Sequence, residues 1–280
     1  MNKQITFTVI GPGVMGEAIV KGLINNKVVQ ASQLTVAGPR QERLDELHQR
    51  YQVRTSHDNQ DSVKHADVVI LCIKPQKFQL VISELKGKIP PHALVISIIA
   101  GETLENLATG LNHKAVVRSM PNTPAQIGKG MTVWTHTSGI TEEQHHLTLQ
   151  ILRAFGNEIF VEEESYIDMA TAVSGTGPAY VFLFLESMID AGVHLGLPRR
   201  ISENIVVQTI QGSLDFYVQN QSHPARLRNQ VTSPGGTSAT ALYYLEKMGF
   251  RTAISRAIWA AFTRSQELGK GQDHQDPEKI

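Results

Sequence analysis

The sequence predicts an α/β domain followed by an all-helical one, and three observations carry that prediction. A strand-like run ends in a glycine-rich turn that opens a helix, at residues 5–23. Short β-branched apolar runs then alternate with helical patterns as far as about residue 162. Beyond that point the strand signals stop, and only helix-period segments follow. These observations divide the chain into residues 1–162, 163–268 and a polar tail, 269–280, expected to be disordered.

In chain order, residues 5–10 form a strand and Gly11-Pro12-Gly13-Val14-Met15-Gly16 fits G-x-G-x-x-G where that strand should end. Gly11 allows the tight turn, Gly13 lets backbone N–H groups approach a pyrophosphate, and Gly16 lets the next helix pack on the strand. The phosphate charge then meets the helix N-terminus. The strand before and the helix after distinguish this Rossmann-type signature from an ordinary glycine turn.

Residues 34–37 form the second strand. An NAD site of this type wants a carboxylate near its end, but the chain runs Ala37-Gly38-Pro39-Arg40, with Arg43 one turn on. A guanidinium attracts the 2′-phosphate that an acid would repel, so the cofactor is read as NADPH, with NADH as the alternative and Arg40 as the first contact. Arg40 also reads simply as the start of a solvated helix over residues 40–51.

Residues 67–73 and 93–99 are continuous apolar runs of the kind buried on both faces of a parallel sheet. The first leads into Lys74-Pro75-Gln76, the second into Ala100-Gly101 and a helix capped by Thr103. Residues 115–120, 131–135 and 158–161 add strands, and residues 78–85, 104–111 and 141–155 add helices. Arg118 to Pro124 reads as a polar, proline-stiffened loop in which Asn122 either bonds backbone or contacts a ligand.

Lys plus Arg and Asp plus Glu are equal at 26 each, which gives no electrostatic reason for a nucleic-acid or anionic-membrane partner. No secretory signal opens the chain and no uninterrupted apolar run reaches membrane-spanning length. The single cysteine, Cys72, reads as strand packing and fits a reducing compartment, with cytoplasm the default. His145 and His146 are adjacent on a helix and do not share a face, so no metal site is expected.

In the helical half, residues 165–173, 178–195, 199–219, 224–231, 236–248 and 250–268 read as helices. Val181 to Leu185 is apolar all round and predicts a subunit interface. Two glycine-proline motifs interrupt these helices. The first is Ser174-Gly175-Thr176-Gly177-Pro178-Ala179-Tyr180. The second is Thr232-Ser233-Pro234-Gly235-Gly236-Thr237-Ser238, where the N–H groups of Gly236, Thr237 and Ser238 at a helix start would bind a small carboxylate. That motif also reads as an N-cap with turn glycines.

Taken together, GPGVMGEAIVKGL, LCIKPQ, SIIAG, RSMPNTPA, VSGTGPAYVFLFLE and VTSPGGTSATALYYLE, in this order and spacing, resemble the pyrroline-5-carboxylate reductase family. The resemblance spans residues 5–268. It implies a 6-phosphogluconate-dehydrogenase-like fold and NAD(P)H-dependent reduction of 1-pyrroline-5-carboxylate to L-proline. It also implies a homodimer interlocked through the helical domain, often a decamer built from such dimers, with an active site shared between subunits. Carried onto this sequence, Gly11, Pro12, Gly13, Val14 and Met15 would hold the pyrophosphate and Arg40 the 2′-phosphate. Lys74, Pro75, Ala100 and Asn122 would line the nicotinamide end. Ser233, Gly235, Gly236 and Thr237 would hold the substrate carboxylate, and the Ser238 hydroxyl would face the imine nitrogen.

Four positions depart from the family pattern. Val14 stands where Asn is usual, Ser238 where Thr is usual, and Arg226 and Asn229 where acids are common. Two other readings remain from the sequence: a β-hydroxyacid dehydrogenase or broader imine reductase, and a non-catalytic NADPH-binding paralogue.

Overall fold

The computed structural model describes residues 5–270. An eight-stranded sheet has the order β3-β2-β1-β4-β5-β6-β7-β8. Its strands are β1 (Phe7–Ile10), β2 (Leu34–Ala37), β3 (Arg54–Ser56), β4 (Val68–Leu71), β5 (Leu94–Ser97), β6 (Val116–Met120), β7 (Gly130–His136) and β8 (Gly156–Phe160). All neighbours are parallel except β6 and β7. The sequence reading missed β3 and the short helix after it; β3 is a polar three-residue edge strand with no hydrophobic pattern to reveal it.

Why the central strands read as unbroken apolar runs is visible in their alternation. Phe7, Val9, Val68, Ile70, Leu94 and Ile96 face one layer, formed by α1 (Val14–Asn25), α2 (Gln41–Tyr51) and α6 (Glu142–Arg153). Ile10, Val69, Leu71 and Val95 face the other, formed by α3 (Asn59–Val63), α4 (Phe78–Leu85) and α5 (Leu104–Leu111). Burial on both faces leaves no polar side for a period-two pattern to mark. The expected caps form: the Thr103 hydroxyl accepts from the Asn106 N–H at 3.1 Å, and Thr141 and Gln144 make a capping box.

Past the sheet come α7 (Ser165–Ala170), a π-helical turn (Thr171–Gly175), α8 (Gly177–His194), α9 (Arg199–Asn220), α10 (Pro224–Gln230), α11 (Thr237–Lys247) and α12 (Phe250–Gly269). The Ser174-Gly175-Thr176-Gly177-Pro178 motif does not break the helix as expected. A π-turn absorbs it: the Thr176 N–H donates to the Thr171 carbonyl at 2.8 Å, and Pro178 follows without a hydrogen to place. The continuous run Ser165–His194 is therefore long enough to cross a membrane and, by composition, holds an 18-residue stretch of mean hydropathy 1.2. The sequence expectation of no such stretch counted unbroken apolar residues and did not anticipate the bridged motif.

The chain divides into two compact units: one holds the residues up to Pro178 together with those from Ala260 on, the other spans Ala179–Trp259. Ile167 of α7 is fully buried beside Met120 and Val133, which ties this helix to the sheet past the point where the strands stop. The predicted tail begins one residue early, because Gly269 closes α12; residues 271–280 lie outside the described residues.

In the second unit, large apolar side chains stand exposed along the helices, among them Phe182, Leu183, Leu214, Val218, Tyr243, Tyr244 and Trp259. Phe182 is 61% exposed and Val218 67%, values unlike those of a finished core.

Candidate active site

Strand register brings the ligand-facing loops level. Ile10 pairs with Ala37 on one side and Leu71 on the other, and Leu71 pairs with Ser97. The loops beginning at Gly11, Gly38, Cys72 and Ile98 therefore leave the sheet along one edge, at the carboxyl ends of the strands. The order β2-β1-β4 places the chain reversal at β1, the crevice where open α/β sheets bind ligands.

The glycine loop has the geometry that a dinucleotide needs. Gly11 has φ +103°, and a Cβ there would meet the Cys72 carbonyl oxygen at 2.7 Å. A Cβ on Gly16 would lie 2.3 Å from the Gly11 oxygen, so only glycine lets α1 approach this closely. A Cβ on Gly13 would meet nothing within 4 Å; it would fill the concavity itself. Gly13 is the N-cap of α1 and supplies no capping side chain, which leaves the first N–H groups of the helix to an anion. These residues fit a bound pyrophosphate. Pro12 is buried, Gly13 and Met15 are half-buried, and Val14 is exposed at the rim.

Arg40 and Arg43 play different parts. Arg43 Nε donates to the Pro12 carbonyl at 2.9 Å, and its other nitrogens bond Glu17 and Glu46. Although desolvation pushes the Glu17 carboxyl up, hydrogen bonds from Arg43 and Tyr51 and the charges of Arg43 and Arg50 hold it below the usual carboxylate range. Arg43 is thus spent on fastening the loop. Arg40, at the N-cap of α2, is exposed and makes no ion pair, so its guanidinium is free for an anion.

Lys74 is exposed at the start of the 3₁₀ turn Pro75–Lys77, and Ala100 is half-buried beyond β5. At the end of β4, burial pushes the half-buried Cys72 thiol up, which favours packing over a thiolate role. Asn122 is largely committed within the protein: its Oδ1 accepts from the Met131 N–H at 2.9 Å, and its Nδ2 donates to Ser174 Oγ at 3.2 Å. This joins two motifs that the sequence reading had kept apart, and Gly175 sits against Met120 with only 3.4 Å for a Cβ. Ser174 is the residue that reading missed; its motif was legible, its partner 52 residues away was not. Arg118, Ser119 and Met120 belong to β6, as the strand read over residues 115–120 requires, so of the loop read over Arg118 to Pro124 only the part from Pro121 leaves the sheet.

In the second unit, Ser233-Pro234-Gly235-Gly236 is a type II turn: the Gly236 N–H donates to the Ser233 carbonyl at 3.0 Å and Gly235 has φ +74°. The Gly236 N–H is therefore committed, a correction to the expectation that it is free. The unpaired donors at the start of α11 are those of Thr237, Ser238 and Ala239, since Thr240 makes the first bond back to Gly236. No side chain caps this helix, and the hydroxyls of Ser233, Thr237 and Ser238 take no hydrogen-bond partner. Ser238 is half-buried; Ser233, Gly235 and Thr237 are exposed. Arg226 and Asn229 on α10 are exposed too, and Asn229 Oδ1 accepts only a long 3.4 Å bond from Arg228.

His145 pairs with His136 across the β7–α6 layer at 3.2 Å, while His146 points to Glu142. No group of three or more His, Cys, Asp or Glu that could hold a metal occurs among the described residues.

Comparison with known proteins bears on both halves. Residues 6–101 match a family model described as NADP oxidoreductase coenzyme F420-dependent, and residues 164–268 match one described as pyrroline-5-carboxylate reductase dimerisation. The Synechocystis pyrroline-5-carboxylate reductase is 42% identical over 267 residues, covering 95% of this chain and 99% of that protein. The Escherichia coli enzyme is 38% identical over 271 residues, covering 96% and 100%. The crystal structure of Plasmodium falciparum pyrroline carboxylate reductase with NADP bound superposes with a TM-score of 0.88 at 31% identity, over 95% of this chain and 99% of that one. With near-complete coverage in both directions and a fold to match, the chain belongs to the pyrroline-5-carboxylate reductase family.

Proposed function

We propose that the protein reduces 1-pyrroline-5-carboxylate to L-proline with NADPH, the closing step of proline synthesis. The observation that carries this reading is the coexistence in one chain of an anion-ready glycine loop and an uncapped helix start ringed by free hydroxyls. Either alone is common. Together, in this family, they suit a dinucleotide and a small cyclic imino acid.

When bound, the dinucleotide supplies a hydride to the imine carbon; the nitrogen must hold a proton for the product amine to form. Gly11, Pro12, Gly13, Val14 and Met15 hold the pyrophosphate, Arg40 the 2′-phosphate, and Lys74, Pro75, Ala100 and Asn122 the nicotinamide end. The N–H groups of Thr237 and Ser238, with the Ser233–Gly236 turn, hold the substrate carboxylate against the positive end of α11. The Ser238 hydroxyl hydrogen-bonds the imine nitrogen and fixes the ring. Positioning of this kind supplies much of the rate in a reaction that asks little covalent chemistry of the protein.

The exposed apolar faces of α8, α9 and α11 support a homodimer through the helical domain, 163–268, with the nucleotide-binding domain covering residues 1–162. The same demand accounts for the length of the Ser165–His194 helix without a membrane. A decamer built from five such dimers and a cytoplasmic location complete the proposal.

Oxidation of NADPH followed at 340 nm with pyrroline-5-carboxylate, with NADH in parallel, tests the assignment; tight NADPH binding without turnover would leave a non-catalytic paralogue. Two variants sharpen it. Arg40→Ala raises the KM for NADPH about 10- to 100-fold, the loss of one charge-assisted hydrogen bond, and leaves that for NADH nearly unchanged. Gly13→Ala keeps the melting temperature, because the backbone is extended and the space open, yet raises both KM values about tenfold, the equivalent of 1.4 kcal/mol of lost binding. Equal effects on the two cofactors in Arg40→Ala would remove Arg40 from the 2′-phosphate.

A further inference from the structure

The loops after β2 and β3 leave the sheet side by side. Ala37 pairs with Ser56, the last residue of each strand, and the Gly38 N–H donates to the Ser56 carbonyl at 3.1 Å. The stretches 38–41 and 57–58 therefore start about 4.8 Å apart, the spacing of neighbouring strands. Two side chains in these stretches can carry positive charge, Arg40 and His57, and both are exposed. Arg43 adds nothing here, since it is spent on Glu17, Glu46 and the Pro12 carbonyl.

A chain of hydrogen bonds fixes how His57 can act. Gln41 Nε2 donates to Asp45 Oδ1 at 2.7 Å, and a carboxylate only accepts, so the amide presents its oxygen to the ring. His57 Nε2 bonds that oxygen and is therefore the donor. This leaves Nδ1 for a ligand: it accepts in the neutral ring and donates in the imidazolium. The elements flanking His57 are α2, through Gln41, and α3, which its own loop enters. Their nearby charged groups are Arg40, Glu42, Asp45, Asp58, Asp61 and Lys64. Asp45 is held by Gln41, Asp58 caps α3 through the Asp61 N–H at 3.0 Å, and Asp61 pairs with Lys64 at 2.9 Å. Arg40, His57 and the exposed Glu42 remain as the open charges, a balance that favours an anion once the imidazole is protonated.

We propose that His57 is a second contact for the 2′-phosphate of NADPH, donating from Nδ1 alongside Arg40, and that the pair sets the preference for NADPH over NADH. The inference rests on the assignment of that phosphate to the loop after β2. An NAD site places a carboxylate there to accept from the ribose hydroxyl. An imidazolium and a guanidinium select the opposite way, because each is drawn to a phosphate and gains little from a hydroxyl.

Calorimetry of the full chain with adenosine 2′,5′-bisphosphate and with 5′-AMP tests this without turnover, since the two nucleotides differ by the 2′-phosphate alone. The native chain prefers the bisphosphate. His57→Ala narrows that preference about tenfold, the loss of one charge-assisted hydrogen bond, and leaves 5′-AMP binding and the melting temperature unchanged. His57→Lys recovers part of the preference, and the gap between native and His57→Ala chains grows from pH 8 to pH 6 as the ring gains its proton. A preference unchanged within twofold in His57→Ala, or an equal loss with both nucleotides, overturns the contact. If Arg40→Ala keeps the preference while His57→Ala narrows it, the assignment of Arg40 fails and the His57 contact stands.

Discussion

Arg118→Met lowers the unfolding free energy by about 3 kcal/mol, the lower end of what breaking a buried ion pair costs when one partner is removed. The lower end applies because the acids are not sealed: the Arg118 side chain is 2% exposed, but that of Asp168 is 15% and that of Glu164 31%. The guanidinium extends from β6, the third strand from the β8 edge, and reaches two carboxylates on and just before α7. Asp168 in turn accepts from Ser265 Oγ of α12 at 2.9 Å, and Glu164 from the Leu104 N–H at the start of α5 at 2.7 Å. One side chain thus joins β6, α5, α7 and α12, and removing it strands two acids together. Urea titration at fixed protein concentration measures the loss, since any association shifts the apparent midpoint. Adding Asp168→Leu and Glu164→Gln to Arg118→Met recovers part of the stability, because the stranded charges go with the cation. A drop below about 1 kcal/mol in the single variant would mean that water, not the guanidinium, satisfies those acids.

Nothing in the local sequence announced this hub. Arg118 stands before Ser-Met-Pro-Asn, a context that reads as polar loop, and its partners lie 46 and 50 residues away. A charge inside a strand is legible only when the acids that satisfy it can be placed, and placement is a tertiary fact. The same limit explains Asn122, whose backbone-bonding and ligand-contact readings were evenly matched until Met131 and Ser174 appeared beside it. By contrast, the glycine loop, the central strands, the helix caps and the Ser233–Ser238 turn were readable because each depends on neighbours within a few residues. The π-turn at Thr171–Gly175 fell between these cases: its glycines and proline are local, but they signal a helix stop far more often than a helix carried through a wider turn.

Ser238→Ala lowers kcat about 100-fold while leaving the KM for NADPH unchanged, and Ser238→Thr restores or exceeds native turnover. The magnitude is that of removing one positioned hydrogen-bond donor from a developing charge. The hydroxyl is half-buried, makes no bond of its own and stands on the second residue of α11 beside three unpaired N–H groups, so nothing in the protein competes for it. Serine has one weakness in that place: its χ1 is free, whereas the Cβ branch of threonine restricts the rotamers, so the hydroxyl of this chain spends part of its time misdirected. That freedom predicts the sign of Ser238→Thr and sets it apart from a merely structural substitution, which would cost stability without raising kcat. The split between the two constants matters as much as the size. A donor that acts on the imine nitrogen appears in kcat, whereas a residue that only shapes the turn around Gly235 would raise the KM for the imino acid through its carboxylate. Turnover within threefold of native in Ser238→Ala would hand the nitrogen to water or to the Thr237 hydroxyl next to it, and the departure from threonine at this position would then be explained by its carrying no catalytic load.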